Sequence, residues 1–254
     1  MMLSSTSMLP CAEDLGTVPD CSFRVLKEFG IPGMEIQRWM RDWGNSRDFK
    51  SSGQYRLNSI ATLSTHDMAP FGAWWEFEAG TVDEKIFEQK CRAHGIAYET
   101  VAAQLFDLKR SVSGRVPWKK EVKDVESLLG ILGKTQDQAR DLTDWYLSTV
   151  DEKDKFLKAV CLPGKSEEYS LQVIVNKALE ACGNSNSVYC IQPLQDWLSL
   201  GNIFGKPALN QRINEPGIVS DKNWRLRVPL LLEELKKQPF NKNILALNRS
   251  AHRI

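Results

Sequence analysis

The hydrophobic and polar positions of the first 70 residues fall into short runs that alternate between two periods. "SMLPCAED" is a brief apolar segment closed by acids, and it reads as a strand ending on Glu13 and Asp14. "DCSFRVLKEFG" spaces its apolar residues as a helix does and stops at Gly30, a favoured C-terminal residue. "GMEIQRW" alternates as a strand, "DWGNSRDFKSSGQ" is a polar loop, and "LNSIATLSTHD" predicts another strand that ends on His66 and Asp67.

From about residue 82 the period becomes helical. "VDEKIFEQKCRAHGIAYETVAAQLFDLKRSV" predicts helices broken near Gly95, and "VESLLGILG", "TQDQARDLTDWYLSTV" and "DEKDKFLKAVCLPG" continue the pattern. "SEEYSLQVIVNKALEACG" reads as one helix capped by Ser166 with Gly183 past its end. "SVYCIQPLQDWL" opens as a strand, and "VPLLLEELKKQ" predicts a helix starting near Pro229. Strands alternating with helices predict an α/β fold whose parallel sheet is covered by helices, with its chemistry at the carboxyl ends of the strands.

Composition changes this picture little. The 254 residues are 42% hydrophobic and 26% charged, an ordinary globular balance. Thirty-three basic against 32 acidic residues leave a net charge of +1, so no basic field is available to hold nucleic acid and neutral substrates are expected. No apolar run is long enough to span a bilayer, and no membrane partner is expected. Cys11, Cys21, Cys91, Cys161, Cys182 and Cys190 show no paired spacing, which predicts reduced, mostly buried thiols and a cytoplasmic setting.

The carboxylates at the predicted strand ends suit acetal cleavage. That chemistry needs one proton donor and carboxylates that stay ionised against an oxocarbenium-like transition state. Glu13, His66 and Asp67 meet part of that need, although by spacing alone they equally suit a turn cap and a helix start. Glu13, Asp14, His66 and Asp67 also allow a metal-hydrolase reading, but no second histidine sits at helical spacing from the first.

"MLPCAEDLGTVPDC", "GIPGMEIQRW", "LSTHDMAPFGAWWE", "SVYCIQPLQDWLSL" and "RINEPGIVSDKNWRLRV" occur in the order expected of the 4-α-glucanotransferase (amylomaltase, disproportionating enzyme) family, which this sequence resembles. The "EIQRW" and "AWWE" wording is similar to the branch of the plant cytosolic enzymes. The resemblance implies an eight-stranded α/β barrel, of which the chain would supply about strands five to eight, with a large helical insertion between the last two. The implied organisation is a partial catalytic barrel over 1–80, a helical insertion over 81–183, and the last strand with an acceptor-side loop and closing helices over 184–254.

By the same resemblance Glu13 is the general acid/base and Asp67 the transition-state stabiliser. His66 is a sugar-hydroxyl partner, Asn214 lies on the acceptor side, and Trp74 is a stacking surface. The implied partners are α-1,4-glucans and maltodextrins, with no metal or organic cofactor, in the cytoplasm, or in the cytosol or plastid of a plant or alga. The family's nucleophile is an aspartate in an Arg-x-Asp-His-like setting; none of His66, His94 and His252 follows an aspartate. The expectation is therefore the carboxyl-terminal portion of such an enzyme, inactive by itself and completed by the missing half of the barrel, covalent or separate. The alternative is a glucan-binding protein derived from that fold that performs no catalysis.

Overall fold

A computed structural model describes residues 2–13, 18–207 and 209–254. Among these, five strands form two sheets. The strands are β1 (Gly33–Ile36), β2 (Ser59–Thr62), β3 (Thr81–Asp83), β4 (Arg115–Pro117) and β5 (Tyr189–Cys190). The main sheet has the order β1-β2-β5 and is parallel throughout, with Gly33 opposite Ser59, Ile36 opposite Thr62 and Ala61 opposite Cys190. All four residues of β2 are buried, as expected of a parallel strand covered on both faces. β3 and β4 pair antiparallel, a ribbon the helical period of this region did not predict.

Eleven α-helices occur among the described residues: α1 (Cys21–Glu28), α2 (Phe71–Ala73), α3 (Glu84–Ala93), α4 (Tyr98–Leu105), α5 (Val125–Leu132), α6 (Arg140–Thr149), α7 (Glu152–Ala159), α8 (Leu171–Gly183), α9 (Leu194–Leu198), α10 (Leu232–Leu235) and α11 (Asn241–Ser250). Gly30 and Gly95 follow α1 and α3 at φ 65° and 67°, a region open to glycine without steric cost. No helix is long and apolar enough to cross a membrane among the described residues.

Several expectations are corrected. Residues 8–13 form no strand; one bond, from the Ala12 N–H to the Pro32 carbonyl at 2.9 Å, holds the segment beside the entry to β1. Pro10 has no N–H to give a ladder, and Met8 and Leu9 are exposed rather than covered. Glu13 therefore does not end a strand, and Asp14 lies outside the described residues. Ser166 starts only a single 3₁₀ turn; the cap of α8 is Ser170, whose hydroxyl accepts from the Val173 N–H, and Gly183 closes the helix from within. The helix expected from Pro229 is confined to the four residues of α10. Of the six thiols only Cys91 and Cys182 are buried, while Cys11, Cys21 and Cys161 are exposed.

Two apolar cores form. The first joins the sheet to α2, α7 and α8 through Ala61, Leu63, Phe71, Phe156, Ile174 and Leu179. At its centre the rings of Phe49, Phe71, Trp74, Trp75 and Phe156 meet at centroid separations of 5.2 to 6.4 Å, mostly edge-on or tilted, the arrangement aromatic quadrupoles favour. Trp74 is only 5% exposed here, so it is a core side chain and offers no sugar-stacking face. The second core gathers Phe87, Leu105, Phe106, Val116, Leu128, Leu142 and Tyr146. Residues 81–150 thus build their own interior, whereas α7 and α8 belong to the sheet; the block expected over 81–183 is divided between two cores.

A buried ion pair ties the cores together. The Arg41 guanidinium, just beyond β1, binds Glu152 at the start of α7, their side chains 3% and 8% exposed. Arg41 also donates to the Ser148 carbonyl at 2.8 Å, and Glu152 accepts from the Gly80 N–H at 2.7 Å. Burial pushes the Glu152 carboxyl up and the Arg41 guanidinium down even though each charge favours the other. Breaking such a pair strands a charge out of water. Glu152→Ala is therefore expected to lower unfolding stability by about 3–5 kcal/mol, and replacing both partners by methionine to cost clearly less, as read by urea denaturation.

Candidate functional site

β2 is buried on both faces, so its polar side chains emerge where the strand ends. Beyond Thr62 the chain forms a loop over residues 63–70, turned at its start by the Thr62 hydroxyl donating to the Ser64 carbonyl at 2.8 Å. His66 and Asp67 lie at the crest, half-buried. The His66 Nε2 stands 3.1 Å from Asp67 Oδ1, and the Asn214 side-chain amide donates to the same oxygen at 2.8 Å. The Asn214 backbone N–H donates to the His66 carbonyl at 3.0 Å, so the loop beyond Gln211 is docked on the loop from β2 by both main chain and side chain.

That docked loop brings in a residue the sequence did not single out. Asn223 folds the loop on itself, donating to the Ile218 carbonyl at 2.9 Å and accepting from the Glu215 N–H at 3.2 Å. Trp224 follows at φ 61°, its N–H held by the Ile213 carbonyl at 2.7 Å. A bulky side chain pays strain for that backbone region, and such outliers gather at functional sites. The Trp224 ring is 65% exposed and its centroid lies 5.0 Å from that of His66. "KNWR" carried a usable signal: a large aromatic amid polar and charged residues has no core to enter.

The cluster is thus a carboxylate, an imidazole, an amide and an exposed aromatic face within one small area. Hydroxyl groups are met by the first three, which together accept and donate, and a C–H-lined ring face is met by the fourth. Glu13 is exposed, and among the described residues no hydrogen bond or ion pair joins it to this cluster. The structure brings His66, Asp67 and Asn214 together and leaves Glu13 apart from them. Among the described residues no three His, Cys, Asp or Glu side chains gather in a way that would hold a metal ion.

Below the loop lies a buried polar layer. Asp196 on α9 accepts from the Ser64 hydroxyl and from the Phe71 N–H at 2.7 Å. Gln192 accepts from the Leu63 N–H at 2.8 Å, and Arg38 donates to the Ala69 carbonyl at 2.8 Å. Burial raises the Asp196 carboxyl, offset in part by those hydrogen bonds and by Arg38. Burial also lowers the Arg38 guanidinium to about 10, with Asp196 its strongest opposing charge.

A family model of 4-alpha-glucanotransferases (glycoside hydrolase family 77) matches residues 1–233. The chain belongs to this family. It is 27% identical over 236 residues to the 4-alpha-glucanotransferase of Chlamydia pneumoniae, covering 92% of this chain and 31% of that protein. It is 39% identical over 88 residues to that of Chlamydia trachomatis, covering 35% and 16%. Over 80 residues it is 36% identical to the 4-alpha-glucanotransferase DPE2 of Oryza sativa, covering 32% and 8%.

Among solved structures, the amylomaltase of Corynebacterium glutamicum superposes with a TM-score of 0.53 at 15% identity, over 94% of this chain and 28% of that one. The amylomaltase of Streptococcus agalactiae in complex with acarbose gives 0.50 at 20% identity, over 95% and 31%. These likenesses support the α/β fold. The chain spans at most about a third of the length of these relatives.

The docking of the two loops is testable directly. Asn214→Ala removes a hydrogen bond to a partly exposed carboxylate, worth about 1 kcal/mol here, a factor of about five in the population of the undocked loop. Trypsin cleavage after Lys222 and Arg225 is expected to quicken by about that factor with the global unfolding midpoint little changed.

Proposed function

We propose that this chain supplies the carboxyl-terminal part of a 4-α-glucanotransferase barrel, including the loops that grip the glucan beside the cleaved bond. The observation that carries the reading is Asp67, held by His66 and Asn214 beside the exposed ring of Trp224, in a chain matched by the family over residues 1–233. In this reading Asp67 faces the positive charge that develops on the sugar ring, and His66 binds a sugar hydroxyl. Asn214 fixes Asp67 from the acceptor side, and Trp224 lies under a glucose ring. Glu13 protonates the departing glycosidic oxygen and later deprotonates the acceptor hydroxyl, which yields retention through a covalent glucosyl-enzyme ester.

Two features support a part of a barrel rather than a whole one. The main sheet has three strands, with β1 and β5 at its edges, whereas the implied fold closes on itself with eight. α1 is amphipathic yet has no buried residue, leaving Phe23 and Val25 exposed, as is Phe29 just past its end. The ester-forming aspartate has no counterpart in an Arg-x-Asp-His setting in this sequence, so the covalent step falls to the remainder of the barrel. Docking of that remainder would also carry the Glu13 segment, which bonds to Pro32 through Ala12, toward the carboxyl ends of the strands.

Acarbose, the ligand of the Streptococcus agalactiae amylomaltase structure, is a suitable probe. Titration of the chain by calorimetry is expected to show saturable binding. Trp224→Ala and Asp67→Asn should each weaken it about tenfold, about 1.4 kcal/mol, and Glu13→Gln should change it little. Absence of binding by the unaltered, folded chain would refute the glucan-gripping role. Release of glucose from maltotriose by the chain alone, abolished by Glu13→Gln, would overturn the dependence on a supplied nucleophile.

A further inference from the structure

We propose that Asp196 is a positioning residue that sets the geometry of His66 and Asp67 by holding both ends of their loop at once. The inference deepens the proposed glucan site and rests on that reading for its functional meaning. Its structural content stands on the contacts alone.

Asp196 has no solvent exposure and touches neither member of the His66–Asp67 pair directly. One oxygen accepts from Ser64 just before the crest of the loop, and the other accepts from the N–H of Phe71 just after it. A single rigid carboxylate therefore fixes the separation of two points seven residues apart in the chain. Gln192 and Arg38 each hold one side only, at Leu63 and Ala69. Between these anchors the local bonds of the crest among the described residues are two long ones accepted by Thr65, its hydroxyl oxygen from the Asp67 N–H at 3.4 Å and its carbonyl from the Met68 N–H at 3.5 Å. The loop of Asn214 adds a bond to the His66 carbonyl at 3.0 Å and one to Asp67 at 2.8 Å, and in this proposal the span between the anchors presents both acceptors to Asn214.

The chemistry of the anchor argues for use rather than filling. Burying a carboxylate is costly, and a neutral side chain of similar volume would occupy the space more cheaply. What a neutral side chain does not supply is two strong acceptors aimed in different directions. Arg38, itself buried with its Nε lacking a partner, provides the nearby opposite charge that lets the carboxylate stay there. The same Arg38 donates to the loop at Ala69, so the charge pair and the loop geometry are parts of one arrangement.

Two substitutions test this separately. Asp196→Asn keeps the shape and one acceptor but replaces the acceptor at Ser64 by a donor; Ser64→Ala removes that bond without altering any charge. The chain has three histidines, so carbon–proton NMR spectra contain three imidazole Cε1–H signals, and His94, bonded to Asp141 between α3 and α6, is an internal control.

In both variants the His66 signal is expected to shift or broaden while His94 stays fixed. Amide exchange at Asn214, whose N–H donates to the His66 carbonyl, should accelerate about tenfold, about 1.4 kcal/mol of lost local protection. Unchanged His66 signals and Asn214 exchange in Ser64→Ala would overturn the proposal, as would equal changes at His66 and His94, which mark a general loss of stability. Should Asp196→Asn fail to fold, Ser64→Ala decides alone. Acarbose titration of the same samples separates the two readings. A His66 response in a chain that never binds acarbose leaves the clamp standing and removes the glucan site.

Discussion

A strand that is buried on both faces and flanked on both edges has nowhere to place polar chemistry except at its ends. β2 is such a strand, with β1 and β5 parallel on either side and every residue covered. Its carboxyl end must therefore release the chain into a loop within a single residue, and that loop inherits all the polar groups the strand could not hold. His66 and Asp67 ride on this loop, and the neighbouring strand ends deliver Arg38 and Gln192, with Asp196 one short turn later, to hold it in place. Parallel pairing thus has a chemical consequence: it brings three segments distant in sequence to one end of one sheet.

The same end of the sheet shows how burial and charge are balanced. Asp196 and Arg38 are each pushed toward their neutral forms by lack of water, and each is drawn back by the other and by hydrogen bonds. Arg41 and Glu152 repeat the arrangement where the two cores meet. Neither pair adds much stability over an apolar filling, but both add direction, because a hydrogen-bonded charge tolerates fewer arrangements than a methyl group does. One pair orients the candidate site, and the other fixes residues 81–150 against the sheet.

The structure distributes the residues of the candidate site unevenly. Asp67, His66 and Asn214 form a connected cluster, and Trp224 extends it with an exposed aromatic face. Among the described residues, the segment of Glu13 is joined to the entry to β1 by the backbone bond from Ala12 to Pro32. The chain, which spans at most about a third of its relatives' length, gathers Asp67, His66 and Asn214 into one cluster and leaves Glu13 outside it, on the segment that precedes α1.

Periodicity alone located α1, α3, α4 and α8 and the glycines that stop α1 and break α3 from α4, because helical spacing and left-handed stops are local properties. Motif wording alone identified the family and selected His66, Asp67 and Asn214. What the sequence could not decide was every property set by the opposite side of a contact. Residues 8–13 read as a strand by pattern, but among the described residues they make no ladder, only the bond from Ala12 to Pro32, and a strand exists only in a sheet. Trp74, in the apolar wording "APFGAWW", is enclosed by four aromatic rings, and Trp224, in the polar wording "SDKNWR", stands in solvent at a strained backbone angle, but which rings enclose the first and which imidazole the second lies against is a matter of the fold. Asp196 reads as one acid in a short helix until its two oxygens are seen to meet Ser64 and Phe71. Local conformation and chemical identity are written along the chain, whereas burial, pairing and the direction of a charge depend on partners supplied by other segments, as far off as Asp196 is from Ser64, and only the folded structure brings those together.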